Sequence, residues 1–419
     1  MNVFSNIFQR NELSDNYFIS LDIGSEVVKV LILRTDKKKE KVFIIGVGQE
    51  RQKQSNMKGG NINDVASVVL ACKKAIDSAV VMAKIRPTKV IIGMDGEFIK
   101  TMTVKVNYIR NDPRVKIDTK EIKDIVYRAK LDSFAKIKKR ISKEEKDNSD
   151  IEISSIVIAD ICIDGYRVMS PVGFRGNEIE LEIFNSILSG KNLEIIKNIA
   201  KKLSLEIIDV ISEPYAVVMS MGIKEIIKFN AILIDIGGKT TNITIISEGN
   251  VRKVKTFDIG GRTFTKSLAN EFNLEFSEAE KLKIDHSSKK IKKEFSDKIK
   301  KVFDRDLGIM FTGIELSLGE FLNSGLLPSQ ILFYGGASQL LNISEVTSEL
   351  FSKKRLPFLS KMKLSFINIG DIASVIDRTG SASSFQYINS VSLASFALDT
   401  AAEEDLLNKM LRKIIKNRS

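Results

Sequence analysis

Two Asp-Ile-Gly turns in this chain contain the residue types that bind a phosphate chain. Asp22 and Gly24 lie in the first turn, and Asp235 and Gly237 lie in the second. Backbone N–H groups in such a turn are free to point at an anion, and glycine lets the anion approach closely. The two carboxylates are suited to hold the waters of a magnesium ion. Together the turns predict a site that grips a polyphosphate from two sides.

Each turn lies in a strand–turn–strand segment, and the two segments form an internal repeat. Residues 18–34 read FISLDIGSEVVKVLILR, and residues 231–247 read AILIDIGGKTTNITIIS. Apolar residues alternate in both segments, as in paired strands. One copy alone is better explained by an ordinary hairpin. Two copies half a chain apart predict two related lobes whose turns face a shared cleft.

Three more side chains in these segments suit a phosphate site. Ser25 and Thr240 can donate hydroxyl hydrogen bonds. Lys29 either brings its ammonium group near the phosphates or faces the solvent, and the sequence leaves both alternatives open.

The composition of the 419 residues limits the other chemistry that we expect. Two cysteines and one histidine provide neither a Cys/His zinc cluster nor a disulfide framework, and little histidine acid/base chemistry. No apolar run reaches the roughly 18 residues of a spanning helix, and the first residues do not resemble an export signal. We therefore expect the protein in the cytosol.

The net charge of +12 is concentrated in two segments. Residues 281–305 carry a net charge of +6, and residues 406–419 carry +5. Aromatic residues for base stacking are scarce in both segments, and the chain has no tryptophan, so we do not expect a nucleic-acid partner. Acidic lipids and acidic peptides are better candidates.

Alternating strand and helix patterns predict α/β layers. Residues 61–84, 190–203 and 265–273 have apolar side chains at helical spacing. After Pro87 the pattern changes to strands, one long helix and further strands. This change predicts a small α+β domain inserted at residues 87–170.

The motifs together resemble the actin-like ATPase superfamily, which includes sugar kinases and the heat-shock chaperone ATPase. The resemblance rests on the two phosphate turns, SEPYAVVMSMG at 212–222, FDIGGRTFTKSLA at 257–269 and LFYGGASQL at 332–340. More narrowly, KGGNINDV at 58–65 and the insertion resemble the FtsA family of bacterial cell-division proteins. This resemblance implies a two-lobed actin-like (ribonuclease H-like) α/β ATPase fold with an inserted SHS2-like domain, called 1C, and a C-terminal amphipathic helix.

The resemblance also implies an ATP site with magnesium. It assigns Asp22, Glu213 and Asp235 to catalysis, with Asp22 and Asp235 at the metal. The nucleotide-binding residues that it implies are Gly24, Ser25, Lys29, Gly237, Gly238, Lys239, Thr240, Thr241, Gly260, Gly261, Glu280, Lys283, Gly335 and Gly336. On spacing alone, Gly335 and Gly336 also fit a plain helix-start turn, and Glu280 with Lys283 a surface pair.

Two residues depart from the family's second turn, Asp-Ile-Gly-Gly-Gly-Thr-Thr-Asp. Lys239 replaces the third glycine, and Asn242 replaces the final aspartate. The lysine either strengthens phosphate binding through its charge or crowds the turn. The lost carboxylate removes a group that could orient water or metal. We therefore predict ATP binding with at most weak ATPase activity.

The end of the chain has the pattern of a helix that lies in a membrane surface. Six apolar residues share one half of the helix circumference, with basic residues on the other half: Leu406, Leu407, Met410, Leu411, Ile414 and Ile415. Docking of this helix on its own protein is the alternative. In residues 1–16, Val3, Phe4, Ile7 and Phe8 have helical spacing, which fits either a frayed terminus or a weak second contact.

The resemblance implies the following division of the chain. The predicted segments are 17–86 (subdomain 1A, first part), 87–170 (1C), 171–204 (1A, second part), 205–255 (2A, first part), 256–325 (2B), 326–372 (2A, second part), 373–402 (return to 1A) and 403–419 (membrane helix).

The resemblance further implies three partners for a scaffold at the division septum, on the cytoplasmic face of the membrane. These are the FtsZ C-terminal peptide at subdomain 2B, a second copy bound head to tail through 1C, and an anionic membrane surface. Two alternatives to these contacts remain open. The basic segment 281–305 is then only a solvated surface helix, and the strand edge of 1C is covered within the monomer. The main rival is a PilM-like pilus-assembly protein that binds a peptide of an inner-membrane partner. A small-molecule kinase of the same fold is a rival of another class.

Overall fold

The computed structural model describes residues 16–398, except 37, 39, 54, 59–60, 145–150, 169, 222–228, 323–324, 341–342 and 355. The six tail residues predicted to bind membrane, and residues 1–15, lie outside the described residues. No helix in the described part of the chain is both long and apolar enough to cross a bilayer.

The described strands and helices alternate along the chain. The strands are β1 (Tyr17–Ile23), β2 (Val27–Asp36), β3 (Lys41–Arg51), β4 (Met57–Lys58), β5 (Asn61–Ile62), β6 (Lys89–Met94), β7 (Lys100–Ile109), β8 (Ile151–Ile163), β9 (Tyr166–Arg167), β10 (Glu178–Ser189), β11 (Glu206–Ser212), β12 (Ala231–Ile236), β13 (Thr241–Ser247), β14 (Asn250–Phe257), β15 (Gln330–Tyr334), β16 (Lys363–Phe366) and β17 (Val375–Asp377). The helices are α1 (Val65–Ala83), α2 (Thr119–Glu144), α3 (Gly190–Lys202), α4 (Glu213–Ser220), α5 (Gly261–Phe272), α6 (Phe276–Ser287), α7 (Lys293–Gly319), α8 (Ile343–Lys354) and α9 (388–398).

The first lobe is built on a six-stranded mixed sheet in the order β11-β6-β1-β2-β3-β17. Its central strands are apolar on both faces because helices cover both sides. Two glycines in β3 let α1 pack directly on the sheet. A Cβ on Gly48 would lie 1.9 Å from the Ala75 carbonyl oxygen, and one on Gly46 would lie 2.4 Å from that of Ala79. The side chain of Asp64 caps the start of α1 by accepting the Ser67 N–H at 3.0 Å.

A four-stranded antiparallel sheet, β7-β10-β8-β9, interrupts the first lobe and packs against α2. Ile125, Ala129 and Ile137 are buried on one face of α2 at multiples of four residues. The pairing differs from the predicted insertion bounds of 87–170 at both ends. β6 belongs to the six-stranded sheet, and β10 completes the four-stranded one, because β10 pairs with both β7 and β8.

The second lobe is built on a five-stranded sheet in the order β14-β13-β12-β15-β16. Helices α5 to α8 contribute to its hydrophobic core. Phe264 of α5 and Phe303 of α7 meet edge to face, with ring centroids 5.4 Å apart. β11 pairs with β6 in the first lobe, although residues from 205 onwards were predicted to begin the second.

The internal repeat holds equivalent places in the two sheets. β1 pairs with β2 antiparallel and with β6 parallel, while β12 pairs with β13 antiparallel and with β15 parallel. In the hairpin registers, Asp22 lies opposite Lys29, and Asp235 lies opposite Asn242. Each lobe therefore presents an acidic residue at the carboxyl end of a central strand.

The chain's one histidine lies in the core of the second lobe. His286 of α6 is buried against Phe303, with ring centroids 5.3 Å apart. Burial lowers the pKa of His286 below its usual value, and the backbone of Ser296 opposes part of this effect. The folded protein therefore holds His286 neutral at pH values where the unfolded chain binds a proton.

We expect His286→Phe to reduce the acid sensitivity of folding. The lowered pKa in the folded state makes the wild-type free energy of unfolding fall as pH drops below about 6.5, by up to about 1.4 kcal/mol per unit of pKa difference. Urea unfolding from about pH 8 to about pH 5 measures this slope. Parallel pH profiles for the variant and the wild type would contradict the assignment.

Candidate functional site

A cavity of about 470 Å³ lies between the two hairpin turns, and both lobes line it. Most of the residues that the sequence predicted for a nucleotide line this cavity. They are Asp22, Gly24, Ser25, Lys29, Glu213, Asp235, Gly237, Gly238, Thr240, Gly261, Glu280, Lys283, Gly335 and Gly336.

The first turn holds a buried ion pair. The Nζ atom of Lys29 lies 2.8 Å from Oδ2 of Asp22, with the lysine side chain 13% exposed and the aspartate 1%. The Ser390 hydroxyl donates to the same oxygen at 2.9 Å. Burial lowers the pKa of Lys29, but attraction and hydrogen bonding to Asp22, with attraction to Glu213 and Asp235, together outweigh burial and raise the pKa. Lys29 therefore points into the cleft as a cation and not towards the solvent.

One amide joins the acidic residues of the two lobes. The Asn389 Nδ2 group donates to Glu213 Oε2 at 2.9 Å and to Asp235 Oδ2 at 3.2 Å. Burial raises the pKa of Asp235 to about 7, and repulsion from Asp95 adds to this rise. Burial also raises the pKa of Glu213 well above its usual value, with a further contribution from Asp22. The cleft therefore concentrates negative charge that a cation would stabilise.

Gly335 and Gly336, which follow β15, make room beside Asp235. Gly335 has φ +89°, and a Cβ there would lie 2.1 Å from Asp235 Oδ1. That oxygen is buried and has no hydrogen-bond partner among the described residues. Gly336 is open, since its Cβ would meet only the Gln386 Cβ at 3.9 Å. A buried carboxylate oxygen without a partner, at the wall of a glycine-lined cleft, fits a site for a hydrated cation with phosphates.

Glu280 and Lys283 form a network at the other end of the cavity. Lys283 Nζ donates to Glu280 Oε2 at 2.8 Å and to the Gly261 carbonyl at 3.0 Å. Burial raises the pKa of Glu280, but attraction and hydrogen bonding to Lys283, together with a hydrogen bond from Thr265, outweigh burial and lower the pKa. The next residue, Ile284, lines the cavity and is 48% exposed. This end offers polar groups beside an apolar side chain, as a nucleoside requires.

Three predicted residues shape the second turn without lining the cavity. The Thr241 hydroxyl donates to the Ile259 carbonyl at 2.7 Å. Gly260 is packed against the turn, since a Cβ there would lie 2.8 Å from the carbonyl oxygens of Gly237 and Gly238. Lys239 Nζ donates to the Met57 carbonyl of the first lobe at 2.5 Å. The lysine therefore connects the lobes, and its part in phosphate binding stays a prediction.

Sequence reasoning missed several residues that complete the cleft. Arg262 and Glu26 form an ion pair across it at 2.6 Å. Asp95 and Asn389 also line it. Their only sequence signal is position: Asp95 follows an apolar strand, and Asn389 lies at the start of the last described helix. Neither position identifies a partner before the lobes are assembled.

The acidic residues do not form a metal cage by themselves. Within the described ranges, no group of three or more His, Cys, Asp or Glu residues could hold a metal ion. Magnesium at nucleotide sites usually keeps several waters and uses one or two carboxylates together with the phosphates. Asp22 and Asp235 are suited to that role, with the nucleotide supplying the remaining oxygen ligands.

Known proteins resemble this chain in sequence and in fold. The model of the family described as Cell division protein FtsA matches residues 232–380. FtsA of Bacillus subtilis is 23% identical over 273 residues, covering 64% of this chain and 58% of that protein. FtsA of Pseudomonas aeruginosa is 23% identical over 360 residues, covering 81% of this chain and 82% of that protein.

A solved structure confirms the fold expected from the sequence. A PilM–PilN type IV pilus biogenesis complex superposes with a TM-score of 0.64 and 14% identity, covering 91% of this chain and 98% of the matched chain. At this identity the match concerns the fold alone. The chain therefore has the actin-like ATPase fold and is similar in sequence to the FtsA cell-division proteins.

Proposed function

We propose that the cleft binds ATP with magnesium between the lobes. The observation that carries this proposal is the pair of glycine-lined turns, which bring Asp22 and Asp235 to one cavity from opposite sides. The turns and Lys29 would hold the phosphates, Asp22 and Asp235 the hydrated magnesium, and the Glu280–Lys283 end the nucleoside. Bound magnesium would neutralise phosphate charge and polarise the terminal phosphoryl group.

The proposed ATP turnover is weak. Glu213 would act on the attacking water, but the burial that raises its pKa favours its protonated form, and a protonated carboxyl group cannot accept the proton of that water. Position 242 carries an amide that cannot accept a proton. Nucleotide would then act mainly as a switch of conformation or assembly.

The inserted unit touches both lobes, which supports a switch of this kind. Phe184 of β10 stacks on Tyr215 of α4 with ring centroids 3.6 Å apart, two residues after Glu213. In the second lobe, Asn250 Nδ2 donates to the buried Glu182 of β10 at 3.0 Å. A change in lobe closure would therefore reach the proposed 1C surface, where a second copy would bind head to tail.

We further propose that the protein is a cell-division scaffold that tethers FtsZ to the cytoplasmic face of the membrane at the septum. Similarity to FtsA supports this role. The amphipathic residues 403–419 would attach it to anionic lipid, and five basic residues near the surface would contribute about 1 kcal/mol each. The FtsZ C-terminal peptide would bind subdomain 2B, near the basic residues 281–305.

A PilM-like role in pilus assembly is the alternative function. A PilM-like protein would bind a short peptide of an inner-membrane partner on the same actin-like scaffold. The two roles differ in partner, so recruitment of FtsZ separates them.

Thermal unfolding with and without Mg-ATP tests the nucleotide proposal. We expect ATP to raise the midpoint of the wild-type protein, because a ligand that binds only the folded state stabilises it. Lys283→Met should weaken ATP binding about tenfold, or about 1.4 kcal/mol, since it removes a buried cation. Lys281→Met changes an exposed lysine on the same helix and should bind as the wild type does. An unchanged wild-type midpoint, or brisk hydrolysis, would contradict the proposal.

A further inference from the structure

Asp95 brings a further carboxylate to the part of the cleft that holds Asp22 and Asp235. It follows β6, whose Gly93 lies beside Asp22 in the parallel register of the first sheet. Asp95 directly precedes a short 3-10 turn (Gly96–Phe98). Its side chain does not cap that turn and lines the cavity instead. Its placement at the same sheet edge as Asp22 therefore has no evident role in local folding.

The amide of Asn242 reaches Asp95 across the cleft. Asn242 Nδ2 lies 3.0 Å from Asp95 Oδ2 and 3.5 Å from Asp235 Oδ2. The Thr256 hydroxyl donates to Asn242 Oδ1 at 2.7 Å, which fixes the amide with its donor side towards the carboxylates. An aspartate at 242 would instead place a third negative charge against Asp95 and Asp235.

Asp95 lies in contact with Asn242, the residue at which the second turn departs from the family pattern. The second turn lacks the aspartate that the FtsA resemblance predicts at 242, while the first lobe supplies a carboxylate within hydrogen-bond reach of that position. Position 242 thus carries no carboxylate, and Asp95 of the first lobe places one beside it.

We propose that Asp95, oriented by Asn242, stands in for the missing aspartate and positions the hydrated magnesium of the bound nucleotide. This role rests on the proposed ATP site. Asp95 is a positioning residue that acts through the waters of the ion, and its contact with Asn242 ties the ion's surroundings to closure of the lobes.

The test measures the concentration of Mg²⁺ that is required for ATP to bind. Asp95→Asn, Asn242→Asp and the double variant are compared with the wild type by thermal shift at rising free Mg²⁺, and by ATP affinity in EDTA. Asp95→Asn should raise the half-effective Mg²⁺ concentration about tenfold or more. It should leave ATP affinity in EDTA unchanged or tighter, because it removes a negative charge near the phosphates.

The double variant Asp95→Asn/Asn242→Asp exchanges the carboxylate and the amide, and it provides the sharper result. Asn242→Asp alone should lower the midpoint without ligand through repulsion of Asp95. The double variant should regain both that midpoint and the magnesium dependence to within about threefold of the wild type, because it keeps one carboxylate and one amide in contact with their places exchanged. Asp112→Asn, at an exposed carboxylate of the inserted unit, should match the wild type throughout.

Three results would overturn the proposal. The first is a magnesium dependence in Asp95→Asn equal to that of the wild type. The second is a loss of ATP affinity in Asp95→Asn that is equal with and without magnesium. The third is a double variant whose magnesium dependence is no closer to the wild type than that of Asp95→Asn. A wild type that ATP never stabilises, at any magnesium concentration, would instead remove the proposed ATP site itself and this role with it.

Discussion

Replacing Gly335 by alanine is expected to weaken ATP binding by about 100-fold, or about 2.7 kcal/mol. The backbone at Gly335 has φ +89°, which strains any residue with a Cβ by about 1 to 3 kcal/mol. The added Cβ would lie 2.1 Å from Asp235 Oδ1 and 2.8 Å from the Ile236 carbonyl oxygen. Asp235 would have to leave its position in the cleft. Isothermal titration with Mg-ATP measures the loss.

Gly380→Ala is the matched control for this prediction. Gly380 also has a positive φ, of +68°, but it does not line the cavity, and an added Cβ would meet nothing within 4 Å. We expect wild-type ATP affinity, with only backbone strain lowering the stability. Equal losses of ATP affinity in the two variants would contradict the role given to the close approach at Gly335.

Lys29→Met is expected to lower the free energy of unfolding by about 3 to 5 kcal/mol. The substitution leaves the Asp22 carboxylate 1% exposed without its counter-ion, and a buried charge that loses its partner is strongly destabilising. Urea unfolding measures the change. The double variant Lys29→Met/Asp22→Asn removes both charges and should recover at least half of the loss.

An exposed ion pair serves as the control for the Lys29 result. Lys300→Met breaks a pair with Asp304 in which both side chains are more than 40% exposed. We expect a change below about 1 kcal/mol. A similarly small change in Lys29→Met would mean that water reaches Asp22 freely.

The repeat of two strand–turn–strand segments was enough to predict two lobes and a shared cleft. It succeeded because each turn ends a central strand, so its aspartate lies at the edge where ligands bind. The ends of the insertion could not be placed, because β10 looks like any apolar strand. Its pairing with β7 and β8 is set by contacts distant in sequence.

The polar groups around the carboxylates show where sequence reasoning stopped. Asn389 and Asp95 are far from both turns in sequence, and only the assembled lobes bring them to Asp235 and Asn242. Lys239 shows the same limit, since its partner is a backbone carbonyl at Met57 that no side-chain pattern identifies. Cross-lobe contacts of this kind depend on closure, which local periodicity does not encode.

Co-sedimentation with anionic vesicles tests the central claim most directly. The full-length protein and a version ending at Glu403 are each mixed with vesicles, Mg-ATP and FtsZ from the same organism, with vesicle-free samples as controls. The account predicts that the full-length protein carries FtsZ down with the vesicles and the shortened one does not. Full-length protein that binds vesicles but leaves FtsZ in solution would contradict the tether and favour the pilus-type role.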